Sequence, residues 1–189
     1  RYIFMNQMKQ KFVDSWNELK HLKTIVVVAM FIAIGVVLGF MFTIQVTDFL
    51  KLGFSFIANE MTALLFGPVV GGIMGGITDI LKFIVKPTGA YFFGFTLNAI
   101  LGGAIYGAIL YHHPISLKRI FISKVIVAVF VNLILGTYWL TVMYGQGFLA
   151  LLPVRALKQL ASVPIESIIF FVFAEALSKA KVLAAITTR

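Results

Sequence analysis

The feature that most constrains this chain is the stretch 24–43, twenty residues without a charged side chain. About 20 consecutive apolar residues let an α-helix cross the hydrocarbon core of a bilayer. The chain of 189 residues is 60% hydrophobic and 12% charged, whereas a soluble domain carries about 25% charged residues. Because a soluble core of this length could not bury so much apolar surface, we predict an all-α polytopic membrane protein and exclude a soluble α/β enzyme.

Six transmembrane helices are predicted, over 24–43, 53–66, 69–85, 91–111, 119–140 and 153–177. The second and third are separated at Gly67-Pro68, since proline inside a helix removes a hydrogen bond and clashes with the preceding turn. The remaining length is too short for a seventh or eighth span with ordinary loops. We therefore assign 1–23 to a cytoplasmic amphipathic segment at the membrane interface, 24–178 to the membrane domain and 179–189 to a cytoplasmic tail.

The distribution of positive charge predicts the orientation. Of the 16 Lys and Arg residues, eleven fall on one side of this layout, with Lys124 among them, and five fall on the other: Lys51, Lys82, Lys86, Arg155 and Lys158. Cytoplasmic loops carry an excess of Lys and Arg, so both termini are predicted to be cytoplasmic. The net charge of +9 then reflects topology and contact with the lipid bilayer, and no nucleic-acid partner is expected.

The sixth span carries a polar stripe. Arg155, Gln159, Ser162 and Glu166 follow one another at helical spacing and share one face. A cation at the centre of a membrane helix costs about 2.5–3.5 kcal/mol, so we predict that Arg155, with Lys158 and Gln159, binds an anionic ligand near the outer face. The alternative is an arginine that snorkels to the interface, and for Glu166 internal pairing is the expected role.

Aromatic and amide side chains coincide on the fourth span. Tyr91, Phe95 and Asn98 lie on one helical face, and two aromatic rings above an amide form a slot for a flat heteroaromatic ring. Trp139 and Tyr144, near the outward end of the fifth span, could complete this slot. The alternative for the aromatic residues is an interfacial belt.

The sequence motifs of several common enzyme families are absent. It has no Gly-Lys dipeptide and hence no P-loop, no G-x-S-x-G and no H-E-x-x-H. Cysteine is also absent, which excludes disulfides and thiolate zinc sites. We expect no enzyme activity, no metal site and no cofactor in this chain. If its task is transport, the energy must come from another polypeptide.

Several motifs resemble one family. They are FGPVVGGIMGGITD at 66–79, KPTGAYFFGF at 86–95, GTYWL at 136–140 and LPVRALKQL at 152–160, followed by Pro164-Ile165-Glu166. These stretches are similar to the substrate-binding S components of energy-coupling factor (ECF) vitamin transporters, specifically the folate-specific type. The resemblance extends over about 24–178, nearly the whole membrane domain.

The resemblance implies a six-helix S-component fold with an outward vitamin pocket. It implies partners as well: a transmembrane coupling subunit and two cytoplasmic ATPases that use ATP and Mg, whose hydrolysis topples the S component to release its vitamin inside. Ala29 and Ala33 match the family's docking face, and the loop with Gln45, Asp48 and Lys51 matches its gate. The expected location is a prokaryotic cell membrane, in a Gram-positive organism.

Folate fits the residues singled out above. Its pterin suits Asn98 between aromatic walls, and Arg155, Lys158 or Lys86 could neutralise the carboxylates of its glutamate tail. Two alternatives remain open from the sequence: another vitamin, such as pantothenate, pyridoxine or a thiamin precursor, or a structural membrane subunit without a soluble ligand.

Overall fold

The computed structural model describes residues 2–42, 44–47, 50–87, 90–145 and 147–187. The helices of this part of the chain are α1 (Tyr2–Glu18), α2 (Leu22–Met41), α3 (Phe56–Val85), α4 (Phe93–Leu110), α5 (Leu117–Tyr144), α6 (Phe148–Lys179) and α7 (Val182–Thr187), and its two strands are β1 (Ile44–Thr47) and β2 (Leu50–Leu52). Helices α2 to α6 are each long and apolar enough to cross a membrane.

Helix α3 consists of two antiparallel arms, which we call α3a (56–66) and α3b (68–85). The backbone leaves the helical conformation at Gly67, with φ 87° and ψ −171°, a conformation that favours glycine. Lys82 Nζ donates to Ser55 Oγ at 2.6 Å, although a straight helix would separate these residues by about 40 Å. The chain therefore reverses at Gly67, and the prediction of six helical segments in the membrane domain is confirmed.

The arm α3b packs against α4 with backbone-to-backbone contact. A Cβ atom at Gly103 would collide with the carbonyl oxygen of Gly71, and one at Gly107 would collide with the backbone of Pro68. Small residues spaced four apart allow this approach, which matters in lipid because apolar surroundings give helices no hydrophobic drive to associate. These glycines thus fix the centre of the bundle.

Helix α1 is attached to the turn between the two arms of α3. The fully buried Ser15 hydroxyl donates to the carbonyl oxygen of Phe66 at 2.6 Å and accepts from the backbone N–H groups of Val69 at 3.0 Å and Val70 at 3.2 Å. Ser15 therefore satisfies backbone groups that the ends of α3a and α3b leave without helical partners. Trp16, the next residue of α1, is exposed.

The two ends of the chain lie at the same face of the bundle. Lys23 Nζ, at the start of α2, donates to the carbonyl oxygen of Ala185 in α7 at 2.9 Å, and the predicted orientation makes this the cytoplasmic face. One expectation is corrected here. Lys124, counted above only as a cation on the cytoplasmic side, is 2% exposed inside α5, where the buried Glu60 carboxylate compensates its charge.

The segment expected to be a polar loop after α2 forms an antiparallel hairpin of β1 and β2. Gln45 faces Lys51 and Ile44 faces Leu52 across the pair. The β-branched residues Ile44 and Val46 favour an extended strand, a preference that the sequence-based assignment to a loop overlooked.

Candidate ligand-binding site

The middle of α5, Val127–Leu135, is a π-helix. Such segments are rare and are frequently found at functional sites. Here two successive carbonyl groups of the segment, those of Val131 and Asn132, accept hydrogen bonds from side chains of α4 and α6. The π-helix therefore joins three helices in the outer half of the bundle.

Asn98 holds the contact between α4 and α5. Its Nδ2 donates to the carbonyl oxygen of Val131 at 3.3 Å, and its Oδ1 accepts from Trp139 Nε1 at 3.1 Å. The amide is buried, with 9% of the residue exposed. Because an asparagine amide offers two N–H groups and two lone pairs, one of each remains for a ligand.

Arg155 of α6 reaches the same π-helical segment as Asn98. Its Nη2 donates to the carbonyl oxygen of Asn132 at 2.8 Å, while its buried Nε has no hydrogen-bond partner among the described residues. A Cβ atom at Gly136 would lie 2.7 Å from Arg155 Nη2 and 3.5 Å from Asn98 Nδ2. We call Asn98, Gly136, Trp139 and Arg155 the outer cluster.

An aromatic wall flanks the outer cluster. The ring centroids of Phe92 and Trp139 are 5.6 Å apart, and Phe95 meets Phe92 edge-on at 6.1 Å. The Trp139 indole lies against the backbone of α4, since a Cβ at Gly94 would come within 2.6 Å of its Cδ2. Sequence reasoning missed Phe92 because this residue is extended and precedes α4, outside the helical spacing that identified Tyr91.

Tyr91, predicted as part of the slot, faces α3 instead. Its ring packs on Phe83 with centroids 5.2 Å apart, and its hydroxyl is 2.8 Å from Thr96 Oγ1. Thr96 Oγ1 in turn donates to Asp79 at 2.8 Å, so Tyr91 must be the donor to Thr96. This chain of hydrogen bonds stabilises the α3–α4 contact beside the outer cluster.

The remaining predicted ligand residues lie in the outer halves of their helices. Lys86, at the end of α3, places its Nζ 5.7 Å from the centroid of the Phe40 ring of α2. Tyr144 ends α5 and is 54% exposed, whereas Lys158 and Gln159 are half-buried on α6, within about one turn of Arg155. These four residues are not part of the outer cluster.

The residues assigned to gating and docking have distinct positions. Gln45 and Lys51 pair through the backbones of β1 and β2, and Asp48 lies outside the described residues. Ala29 and Ala33 are exposed on α2, a helix that is only 17% buried. Their side of α2 is therefore accessible to another protein within the membrane.

A cavity of about 1130 Å³ opens at the opposite, cytoplasmic end. It lies between the α1–α2 junction, the α4–α5 loop and the end of α6, next to Lys20, His112 and Lys179. None of the predicted ligand residues lines it, and the combination of tryptophan, amide and arginine found in the outer cluster does not occur along its wall. The chemistry expected for an aromatic anion is therefore at the outer cluster.

Comparisons with known proteins match the chain along most of its length. Residues 23–188 match the family described as "ECF transporter, substrate-specific component". The chain is 35% identical over 153 residues to "Folate transporter FolT" of Clostridium novyi, covering 81% of this chain and 88% of that protein. It is 29% identical over 126 residues to "Folate transporter FolT" of Leuconostoc mesenteroides, covering 64% and 68%.

A solved structure supports the same relationship. The chain is similar to "Crystal structure of FolT bound with folic acid" with a TM-score of 0.76 and 34% sequence identity, over 82% of this chain and 95% of that one. The S-component fold predicted from the motifs is thereby confirmed.

Proposed function

This chain belongs to the family of substrate-specific components of ECF transporters, and on that premise we propose that it is the membrane subunit that captures folate at the outer face. The observation that carries the proposal is the likeness to a folic-acid-bound structure over 95% of that structure's chain. The proteins called folate transporters that match this chain support the same ligand.

The outer cluster offers the chemistry that a pterin requires. A pterin is a flat ring with hydrogen-bond donors and acceptors along its edge, and the Trp139 indole provides a surface on which it can stack. Asn98 keeps one donor and one acceptor, and Arg155 keeps its Nε donor. Three directional contacts and one apolar face would then define the orientation of the ring.

The geometry changes the expected assignment of the two ends of folate. Arg155 Nη2 and Asn98 Nδ2 both lie within 3.5 Å of the same point above Gly136, so they contact the same part of a ligand. Folate carries its pterin and glutamate at opposite ends of a rigid benzoyl spacer. We therefore assign the pterin to the outer cluster and the glutamate carboxylates to Lys86 and Lys158.

The ligand is tested by calorimetric titration of the purified protein in detergent with folate, pantothenate, pyridoxine and thiamin. We expect stoichiometric binding of folate alone. Arg155→Ala and Asn98→Ala should each weaken it at least tenfold, about 1.4 kcal/mol, whereas the exposed Lys20→Ala should not. Wild-type affinity in both site variants would refute the assignment of this site.

The orientation is tested by comparing folate with 6-methylpterin, which lacks the benzoate and glutamate parts. Arg155→Ala should weaken both compounds by the same factor. Lys158→Ala should weaken folate alone, because only folate carries the carboxylates assigned to this cation. If Arg155→Ala leaves 6-methylpterin binding unchanged, Arg155 contacts the glutamate and the orientation is reversed.

We further propose that a coupling subunit and two ATPases complete the transporter, and that this chain has no catalytic role or cofactor of its own. ATP and Mg would be used by the ATPases, and toppling would release folate inside after the β1–β2 hairpin has gated its entry. The exposure of Ala29 and Ala33 supports docking through α2. The Gram-positive genera of both relatives support the expected cell membrane.

Docking is tested by replacing Ala29 with tryptophan and measuring copurification with the coupling subunit and ATPases. The bulkier side chain should abolish the complex and leave folate binding unchanged. Val172→Trp, at an exposed position on α6, is the matched control and should retain the complex. If both variants retain it, α2 is not the docking face.

A further inference from the structure

Three ionisable side chains meet inside the inner half of the bundle and take no part in the proposed folate site. Lys124 Nζ lies 2.5 Å from Glu60 Oε1 and 3.1 Å from Glu166 Oε2. Lys124 and Glu60 are 2% and 1% exposed, and the Glu166 side chain is 31% exposed. Since these residues come from α5, α3a and α6, the cluster links three helices. We call it the ion triad.

The ion triad contains one more acidic group than basic groups. With all three residues ionised its charge would be −1, and a net charge buried among apolar helices is unfavourable because one ion pair compensates only one carboxylate. Both carboxylates contact the same Nζ, and carboxylates that share a site resist simultaneous ionisation. Among the described residues, no second cation lies within salt-bridge distance of Glu60 or Glu166.

The surroundings do not supply the missing positive charge. Lys124 Nζ is 4.3 Å from the centroid of the Phe56 ring and 5.8 Å from that of Tyr106 on α4. An aromatic ring face attracts the ammonium, but it offers nothing to a carboxylate. Tyr106 is the titratable group that α4 contributes beside the ion triad. Its hydroxyl also donates a hydrogen bond to Glu60, but a neutral phenol leaves the charge unbalanced.

One oxygen of the triad is also unsatisfied. Glu60 Oε2 is buried and has no hydrogen-bond partner among the described residues. An ionised carboxylate oxygen in such a position loses its hydration without compensation. We propose that the ion triad is a proton-binding site, in which Glu60 and Glu166 share one proton so that the cluster is neutral at physiological pH.

The proton is detected by infrared spectroscopy of the folded protein in H₂O and D₂O, as the deuterium-sensitive carbonyl band of a protonated carboxyl group. Either Glu60→Gln or Glu166→Gln should remove the triad's contribution to this band, because the remaining carboxylate then pairs with Lys124 and stays ionised. The matched control Glu175→Gln, at an exposed ion pair on α6, should leave the band unchanged.

Replacing the lysine should change the intensity of the band in the opposite direction. Lys124→Met removes the cation, so both carboxyl groups should be protonated and the band should grow twofold. Folate binding by each variant reports whether it is folded, and the two glutamine variants serve as replacements for one another if one fails. The proposal is overturned if the wild type lacks the band, or if the band persists in both glutamine variants.

Discussion

The two halves of the helix bundle are held together by different kinds of contact. In the inner half, α3b and α4 touch through the backbones of Gly71 and Gly103, and the buried Lys124 ammonium lies between the carboxyl groups of Glu60 and Glu166. In the outer half, α4, α5 and α6 meet through hydrogen bonds between side chains and a π-helical backbone. Nothing can replace the contacts of the inner half when they are broken. A ligand, in contrast, can take over hydrogen bonds of the outer half.

This difference suits a binding protein that must open at one end only. The outer cluster bonds some of its polar groups internally and leaves the buried Arg155 Nε without a partner among the described residues, so a ligand can add or exchange contacts there at little net cost. The inner half resists separation because a lone buried charge or a shifted glycine backbone costs several kcal/mol. We therefore expect the outer half to adapt to folate while the inner half stays fixed.

The largest expected effect is that of neutralising both acids of the ion triad. Glu60→Gln combined with Glu166→Gln leaves Lys124 as an unpaired buried cation and should lower the free energy of unfolding by about 3–5 kcal/mol. Thermal unfolding in detergent, followed by intrinsic fluorescence, measures the loss. Each single variant should be much closer to the wild type, because one ion pair survives. A double variant as stable as the wild type would show that the inner half does not depend on these charges.

The glycine contact between α3b and α4 offers the next test. Gly103→Ala places a methyl group against the carbonyl group of Gly71, and backbone must move to accommodate it. Overpacking of this kind costs about 1–3 kcal/mol. The neighbouring Gly102 is the matched control, since a Cβ there would meet only Val127 Cγ1 at an ordinary 3.6 Å. Equal stability of the two alanine variants would contradict the backbone contact.

Much of the fold could be predicted because membrane helices follow from composition. Every backbone group in lipid must be bonded within the structure, so apolar runs of sufficient length become helices, and Gly67-Pro68 correctly indicated the reversal inside α3. The burial of Lys124 could not be predicted in this way. Its position near the start of α5 is also that of an interfacial cation, and only the packing of α3a and α6 brings Glu60 and Glu166 to it.

The candidate site was predictable only in part. Asn98, Trp139 and Arg155 were identified from residue type and membrane depth, and the structure brings them together, although their role as ligand contacts stays a prediction. The two carbonyl groups that position Asn98 and Arg155 belong to a π-helix, whose i→i+5 hydrogen bonds depart from the 3.6-residue spacing used to interpret the sequence. Helical spacing also pointed to Tyr91 in place of Phe92, because the spacing assumes that the helix has already begun.

A substitution at Gly136 tests whether a change in the outer half alters the affinity for folate without altering stability. A Cβ there would lie 2.7 Å from Arg155 Nη2, the end of a flexible side chain that can move away without disturbing the helices. Gly136→Ala should therefore weaken folate binding about tenfold, or about 1.4 kcal/mol, while the unfolding temperature stays unchanged. Gly147→Ala, where a Cβ would meet nothing within 4 Å, should bind as the wild type does. Loss of stability without loss of affinity in Gly136→Ala would reverse the roles assigned to the two halves.

The smallest effect concerns the cytoplasmic loop that follows α4. The pKa of His113 is lowered from its ordinary value of 6.5 by partial burial and then by the positive charges of Lys11, Arg119 and His112. Because the folded pKa lies below the unfolded one, the unfolded chain binds more protons at acidic pH, so stability falls as the pH drops through 6.5 toward the folded pKa. His113→Gln should reduce the difference in unfolding temperature between about pH 7.5 and about pH 5.5. An unaltered difference in His113→Gln would mean that this loop adds no pH dependence to the inner half.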